Sequence, residues 1–187
     1  YYRTTIYEDL ENYDLALLDY NKAIELDPEE AEYYEYRADL YALLEENSKA
    51  FLDYSKCIEL YPNDAHYLNN RGDFHDNIEE YENALADYAA VLKLQDASTF
   101  DKCRALNNRA LMYSYQGDDE LSIKEYSIII DEYAEEVLGH NYTNRGRSYE
   151  NIEQYDLALS DYNKAIELAP EEAEYYEYRA DLYVILG

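Results

Sequence analysis

The stretch Tyr13–Tyr41 returns at Tyr155–Tyr183 with only two changes, Leu18 to Ser160 and Asp27 to Ala169. A chain that carries one packing solution twice reads as an array of units, each packed on its neighbours, rather than as a single irregular core. Aligning the chain on itself turns the duplication into columns. Ala16, Ala50, Ala84, Ser122 and Ala158 are always small, and four residues later stand Tyr20, Tyr54, Tyr88, Tyr126 and Tyr162. Three further on come Ala23, Cys57, Val91, Ile129 and Ala165, beside Ile24, Ile58, Leu92, Ile130 and Ile166. Spacings of three, four and seven define one helix face. Pro28, Pro62 and Pro170 follow that helix, as expected of a residue that cannot continue one.

A second set of columns marks a helix before each of these. Its signature is Arg3, Arg37, Arg71, Arg109, Arg145 and Arg179. A small residue usually follows (Ala38, Gly72, Ala110, Gly146, Ala180), and Tyr7, Tyr41, His75, Tyr113, Tyr149 and Tyr183 lie four after the Arg. A small residue facing a large aromatic lets two helices approach closely and interlock. The Arg column is matched by acids in the other helix: Asp19, Asp53, Asp87, Glu125 and Asp161. A carboxylate accepts the guanidinium fork through two hydrogen bonds. The pairing predicts an internal ion pair that fixes helix register; a ligand-facing Arg ladder is the rival reading.

A repeat of about 34 residues built as helix–turn–helix, with Gly or Ala, Tyr, Ala, Tyr and Pro in this order, resembles the tetratricopeptide repeat (TPR) family. The resemblance covers essentially the whole chain. Tyr34, Leu68, Leu106, Tyr142 and Tyr176 fill the early column where the family often has Trp, and they keep it large and apolar. The resemblance implies an all-α, right-handed α-solenoid of stacked antiparallel helical hairpins. The register divides the chain into a truncated repeat at 1–30, repeats at 31–64, 65–102, 103–138 and 139–172, and a first helix alone at 173–187. The third of these segments carries a short insertion, Ser98–Lys102, expected to lengthen a turn.

The chain has 15 Lys and Arg against 43 Asp and Glu, a formal charge of −28. Such a field disfavours nucleic acid and anionic membrane, which need cationic contacts, and favours a neutral or basic protein or peptide partner. The 26 Tyr and the absence of Trp suit half-buried seams and contact surfaces. Cys57 and Cys103 form no disulfide framework, and Cys57 reads as a small core hydrophobe. No signal or membrane-spanning pattern occurs in the sequence given, which favours a cytoplasmic setting. No zinc spacing, calcium loop or phosphate-binding glycine loop appears, so neither metal nor cofactor is expected. Catalysis is not expected either, since an open solenoid offers a wet groove rather than a closed site.

In arrays of this kind the first helices line the concave face. There Asn69, Asn70, Asn107, Asn108 and Asn144 precede the Arg column, and an Asn ladder can hold an extended peptide backbone through paired donors and acceptors. Tyr36, Asp39, Asp73, Arg104, Tyr115 and Arg147 complete the expected groove. A solvated polar face is the plainer alternative. The expected function is a non-enzymatic interaction scaffold that binds an extended segment in this groove. The rival is a structural subunit that assembles head to tail into a homo-oligomer or filament through its ends, using Tyr175, Tyr176, Tyr183 and Ile185. Asn141-Tyr142-Thr143 matches a glycosylation sequon placed inside a predicted helix.

Overall fold

The structure, a computed structural model, describes residues 12–187, so the expectations placed on Arg3 and Tyr7 lie outside the described residues. Among those residues are ten α-helices and no strand, which bears out the all-α class. The chain divides into two compact units, Tyr1–Ala97 and Ser98–Gly187. In the first unit α1 (Tyr13–Leu26) packs on α2 (Ala31–Leu43), α2 pairs with α3 (Asn47–Leu60), α3 meets α4 (Ala65–Asn77), and α4 pairs with α5 (Tyr81–Val91). In the second unit α6 (Thr99–Gln116) pairs with α7 (Asp119–Glu132). There α8 (Gly139–Asn151) pairs with α9 (Tyr155–Leu168), and α10 (Ala173–Leu186) packs on α9. A short 3-10 turn, Ala134–Glu136, joins α7 to α8.

Each hairpin turns through one left-handed residue, at Glu45, Glu79, Gly117 and Glu153. The next N–H reaches back to a carbonyl in the first helix: Glu46 to Tyr41, Glu80 to His75, Asp118 to Tyr113 and Gln154 to Tyr149, each at 2.8 Å. These bonds satisfy carbonyls that the helix end would otherwise orphan. Only one of the four turns uses glycine, so three glutamates hold a backbone shape that costs an L-residue roughly 1–2 kcal/mol.

The residues Ser98–Lys102 do not lengthen a turn. Ser98 caps α6, its Oγ accepting the Asp101 N–H at 3.1 Å, and Thr99–Lys102 become the first turn of that helix. A Ser with an acid three residues on is a helix-start signal, and here it outweighed the expectation of a loop.

Small residues face large rings as the columns require. A Cβ added at Gly72 would lie 2.6 Å from Tyr88 Cε1, and one at Gly146 would lie 2.7 Å from Tyr162 Cε1. Tyr88, Tyr126 and Tyr162 are fully buried. A side chain at Gly72 would overpack this contact at a cost of about 1–3 kcal/mol. Three of the column's hydroxyls are paired with a carboxylate: Tyr54 donates to Asp39 at 2.5 Å, Tyr88 to Asp73 at 2.7 Å and Tyr162 to Glu150 at 2.9 Å. Cys57 donates to the Ala31 carbonyl at 3.3 Å, and burial pushes its thiol up to about 12, in keeping with a core role.

The Arg column is the register pin. Arg37 donates from Nε and Nη2 to both oxygens of Asp53 at 2.7 Å, and from Nη1 to Asn21 on the preceding second helix at 2.5 Å. Arg71 does the same with Asp87 and Ser55, and Arg145 with Asp161 and Ser127. One guanidinium thus ties three helices. The fourth pair is weaker. Arg109 reaches Glu125 through Nη2 alone, at 2.9 Å, leaving Arg109 Nε and Glu125 Oε2 buried without a hydrogen bond. The extra methylene of Glu, where the other pairs have Asp, takes the carboxylate out of the fork. A double-mutant cycle on Arg71 and Asp87, read by chemical denaturation, is expected to give about 1–3 kcal/mol of coupling. The cycle on Arg109 and Glu125 should give less than half of that, and Glu125→Asp should restore it. Equal coupling at the two sites contradicts this account.

Candidate functional site

In the first unit the open face of the first helices is carboxylate-rich. Tyr36 and Asp39 on α2 stand beside His66, Asn70, Asp73 and Asp76 on α4, at helical spacings that share one side. Tyr36 stacks on Tyr20, centroids 6.0 Å apart. Neighbouring first helices are tied by Glu35, which meets His66 Nε2 at 2.6 Å and accepts from Asn70 Nδ2 at 2.5 Å. The two asparagines of each pair part company here. Asn69 is fully buried and stands in the same column as buried Glu35, so its side chain faces the interior and not the groove expected of it. Asn70 lies at the half-buried edge of the open face.

The second unit has a different face. Arg104, Asn107, Asn108 and Asn144 are half-buried, while Arg147 and Tyr115 are exposed, the latter at 80%. Asn107 donates to Asn108 at 3.3 Å, but its own Oδ1 is buried, as its column predicts from Asn69. The Arg147 guanidinium lies over the Tyr178 ring at 5.7 Å, joining α8 to α10. Leu111 stands in the column of Asp39 and Asp73, so the buried Tyr126 lacks the carboxylate its counterparts have. With Leu111 and Arg147 in that column and Asp181 keeping its acid on α10, the first helices of this unit carry both signs of charge.

Of the four residues expected at the ends, Tyr175 is turned inward, its ring within 2.5 Å of a Cβ built on Gly139. Tyr176 is 41% exposed and donates to the Pro170 carbonyl at 3.1 Å. Tyr183 and Ile185 are open, with Val184 between them. Asn141, the sequon residue, is buried and accepts the Leu138 N–H at 2.8 Å, which closes it to modification in the folded chain. Among the described residues no group of three His, Cys, Asp or Glu side chains is arranged to hold a metal ion. No helix among them is long and apolar enough to cross a membrane.

Models of the tetratricopeptide repeat match residues 5–65, 65–98 and 142–172. Among curated proteins no sequence matches. Several solved structures share the fold. MamA is 20% identical with a TM-score of 0.71, covering 92% of this chain and 91% of its own. PilF of Pseudomonas aeruginosa is 19% identical with a TM-score of 0.73, covering 98% and 81%. YrrB, a TPR protein with an unusual peptide-binding site, is 18% identical with a TM-score of 0.67, covering 95% and 88%.

Several carboxyl groups of these faces are harder to ionise than usual. Burial raises Glu35, against the pull of His66, and raises Glu125, against Arg109. Loss of solvent raises Asp39 against the hydrogen bond from Tyr54, which lowers it, and Asp76 is raised by burial and by Asp73. A raised carboxyl pKa means that the folded chain takes up protons more readily than the unfolded one. Stability from this source is therefore gained as pH falls through the folded values and is lost above them. Thermal melts are expected to shift upward as pH falls from neutrality toward the ordinary carboxylate range, and Glu35→Gln should flatten part of that slope. A melting temperature that falls steadily over this range would show that these groups are not strained by burial.

Proposed function

Because the chain belongs to the tetratricopeptide repeat family, we propose that it is a non-enzymatic scaffold whose first-helix faces bind an extended segment of a partner protein. The observation that carries this reading is the placement of charge in the first unit. Arg37 and Arg71 are spent inside on Asp53 and Asp87, whereas Asp39, Asp73 and Asp76 are left along the open face with Tyr36. A basic or neutral segment suits that face, with Lys or Arg against the acids and apolar or aromatic groups against Tyr36. In the second unit the Asn108 and Asn144 side chains supply donors and acceptors for a peptide backbone, Arg147 supplies donors, and Tyr115 a stacking surface. Arg104 adds a cation, and Asn69 and Asn107 support the face from beneath. The peptide-binding site of YrrB is a precedent on the same fold.

A second reading, head-to-tail assembly, is favoured by one observation: Tyr183, Val184 and Ile185 are each more than half exposed in the last turns of α10, which leaves apolar surface open there. Its residues, with Tyr176, would meet another copy. Light scattering across concentration separates the two, since assembly requires a mass that grows with concentration.

The test of peptide binding uses fluorescently labelled extended peptides, one Lys-rich and one Glu-rich, read by anisotropy. The Lys-rich peptide is expected to bind more tightly and to weaken as salt rises, because exposed charges are screened beyond about 10 Å at 0.1 M. Asp39→Asn with Asp73→Asn should remove most of that preference. Equal affinity for the two peptides, or a preference untouched by the double substitution, would sink the proposal.

A further inference from the structure

The last helix repeats an environment that is complete elsewhere in the chain. Ala173–Tyr183 of α10 is identical to Ala31–Tyr41 of α2, and the helices before them, α9 and α1, differ only at Ser160 and Leu18. The two helices dock on their predecessors in the same way. Tyr176 donates to the Pro170 carbonyl at 3.1 Å, as Tyr34 does to that of Pro28 at 3.2 Å. Tyr178 stacks on Tyr162 at 5.9 Å, as Tyr36 does on Tyr20 at 6.0 Å. Arg179 donates from Nη1 to Asn163 at 2.7 Å, as Arg37 does to Asn21. Leu182 and Leu40 are both buried.

The other side separates them. On α2 that side is covered by α3, whose residues meet three groups. Asp53 takes Arg37 Nε and Nη2, Tyr54 donates to Asp39, and Cys57 donates to the Ala31 carbonyl. Ala31 and Ala38 are fully buried beneath it, whereas Ala173 and Ala180 are exposed. Among the described residues no carboxylate takes Arg179 Nε and Nη2, and no hydroxyl donates to the exposed Asp181. The same eleven residues thus stand once with their covering helix and once without it.

We infer that this side of α10 is a docking surface for a helix of a partner protein, one that carries an Asp-Tyr pair with a small residue three places before the Asp. The pattern is that of α3, where Ala50 precedes Asp53 and Tyr54. Arg179 sets the carboxylate, because its planar fork takes two parallel hydrogen bonds from one helix rotation only. Asp181 sets the hydroxyl beside it, and Ala173 and Ala180 admit a helix at close approach. The chain's own carboxylates of that column are spent. Asp53, Asp87, Glu125 and Asp161 are bound to Arg37, Arg71, Arg109 and Arg145, and Asp19 has a partner as well. A second copy would have to open one of its own pairs to offer such a helix. The surface uses none of the peptide-binding residues, and its occupant differs from the second copy of the head-to-tail reading.

The test titrates a synthetic peptide with the sequence of residues 46–62, carrying Cys57→Ala, into the isotopically labelled full chain and follows it by NMR. Saturable shifts at Ala173, Ala180 and the Arg179 Nε–H are expected, with Ala31 and Ala38 unmoved. The peptide with Asp53→Asn should bind about tenfold more weakly, since one arm of the fork loses its acceptor. Arg179→Lys in the chain should weaken binding about as much, because an ammonium has no fork. Ala180→Leu, at an exposed position, should block docking and leave the fold intact, and it decides the matter if the Arg179 variant fails to fold. No saturable shift, equal affinity for the Asp53→Asn peptide, or binding that survives Ala180→Leu would overturn the inference. Shifts at Ala31 and Ala38 instead would show exchange with α3 and overturn it too. So would a mass that grows with concentration in the peptide-free chain and is lost in Arg179→Ala, which gives the face to a second copy.

Discussion

The whole arrangement depends on one side chain repeated: the half-buried arginine that binds a carboxylate on its own hairpin and, at Arg37, Arg71 and Arg145, a polar group on the second helix before it. A guanidinium has a fixed planar fork, so two parallel hydrogen bonds to Asp53, Asp87 or Asp161 set both the distance and the rotation of one helix against the other. The remaining nitrogen then sets the spacing to the previous hairpin. A lysine could supply the charge but not the fork. Removing one partner would strand a desolvated charge at a cost of about 3–5 kcal/mol. The pair therefore acts as a specification of register more than as a source of net stability.

That use of arginine shapes the exterior. The chain has only 15 basic residues against 43 acidic ones. Arg37, Arg71, Arg109 and Arg145 are committed to carboxylates, and Arg179 to Asn163. What remains on the open first-helix faces is Asp39, Asp73 and Asp76 in one unit, and Arg104 and Arg147 in the other. Each pair is neutral, so the sign of the surface field comes from the excess of acids over bases. The ladder decides only which arginines are withdrawn from that surface.

The fold was legible in the sequence because its contacts are periodic. A small residue opposite a tyrosine must recur wherever two helices touch, and Gly72 with Tyr88 and Gly146 with Tyr162 obey that rule. What escaped was anything decided by a rotation of one residue or by a local cap. Asn69 and Asn70 are adjacent, yet a helix turns about 100° per residue, so one faces the core while the other edges the groove. Glu35 is a buried tie between first helices, made tolerable by His66 and Asn70, and no column marked it because Asn69 and Asn107 hold its place in the next repeats. Ser98 looked like loop because the repeat length had run over; its cap to Asp101 was the overlooked signal. The left-handed glutamates at 45, 79 and 153 were hidden because glycine is the usual marker of such a turn, and only Gly117 shows it.

Periodicity also gives departures their meaning. Within a column most residues answer to the same packing demand, so a residue that breaks the column has been released from it or has traded one partner for another. Glu125 breaks the Asp column and leaves a fork half used. Leu111 breaks the column of Asp39 and Asp73 and takes a carboxylate away from Tyr126. His75 breaks the tyrosine column and trades the phenol for contacts with Glu80 and the Phe51 and Phe74 rings. The first two exchanges each remove a hydrogen bond from the regular stack. A repeat array can absorb such losses because stability is summed over neighbouring units. The duplicated stretch Tyr13–Tyr41 keeps the stacking rule intact, whereas these three departures fall between its two copies, in the part of the chain where stacking alone does not dictate the residue.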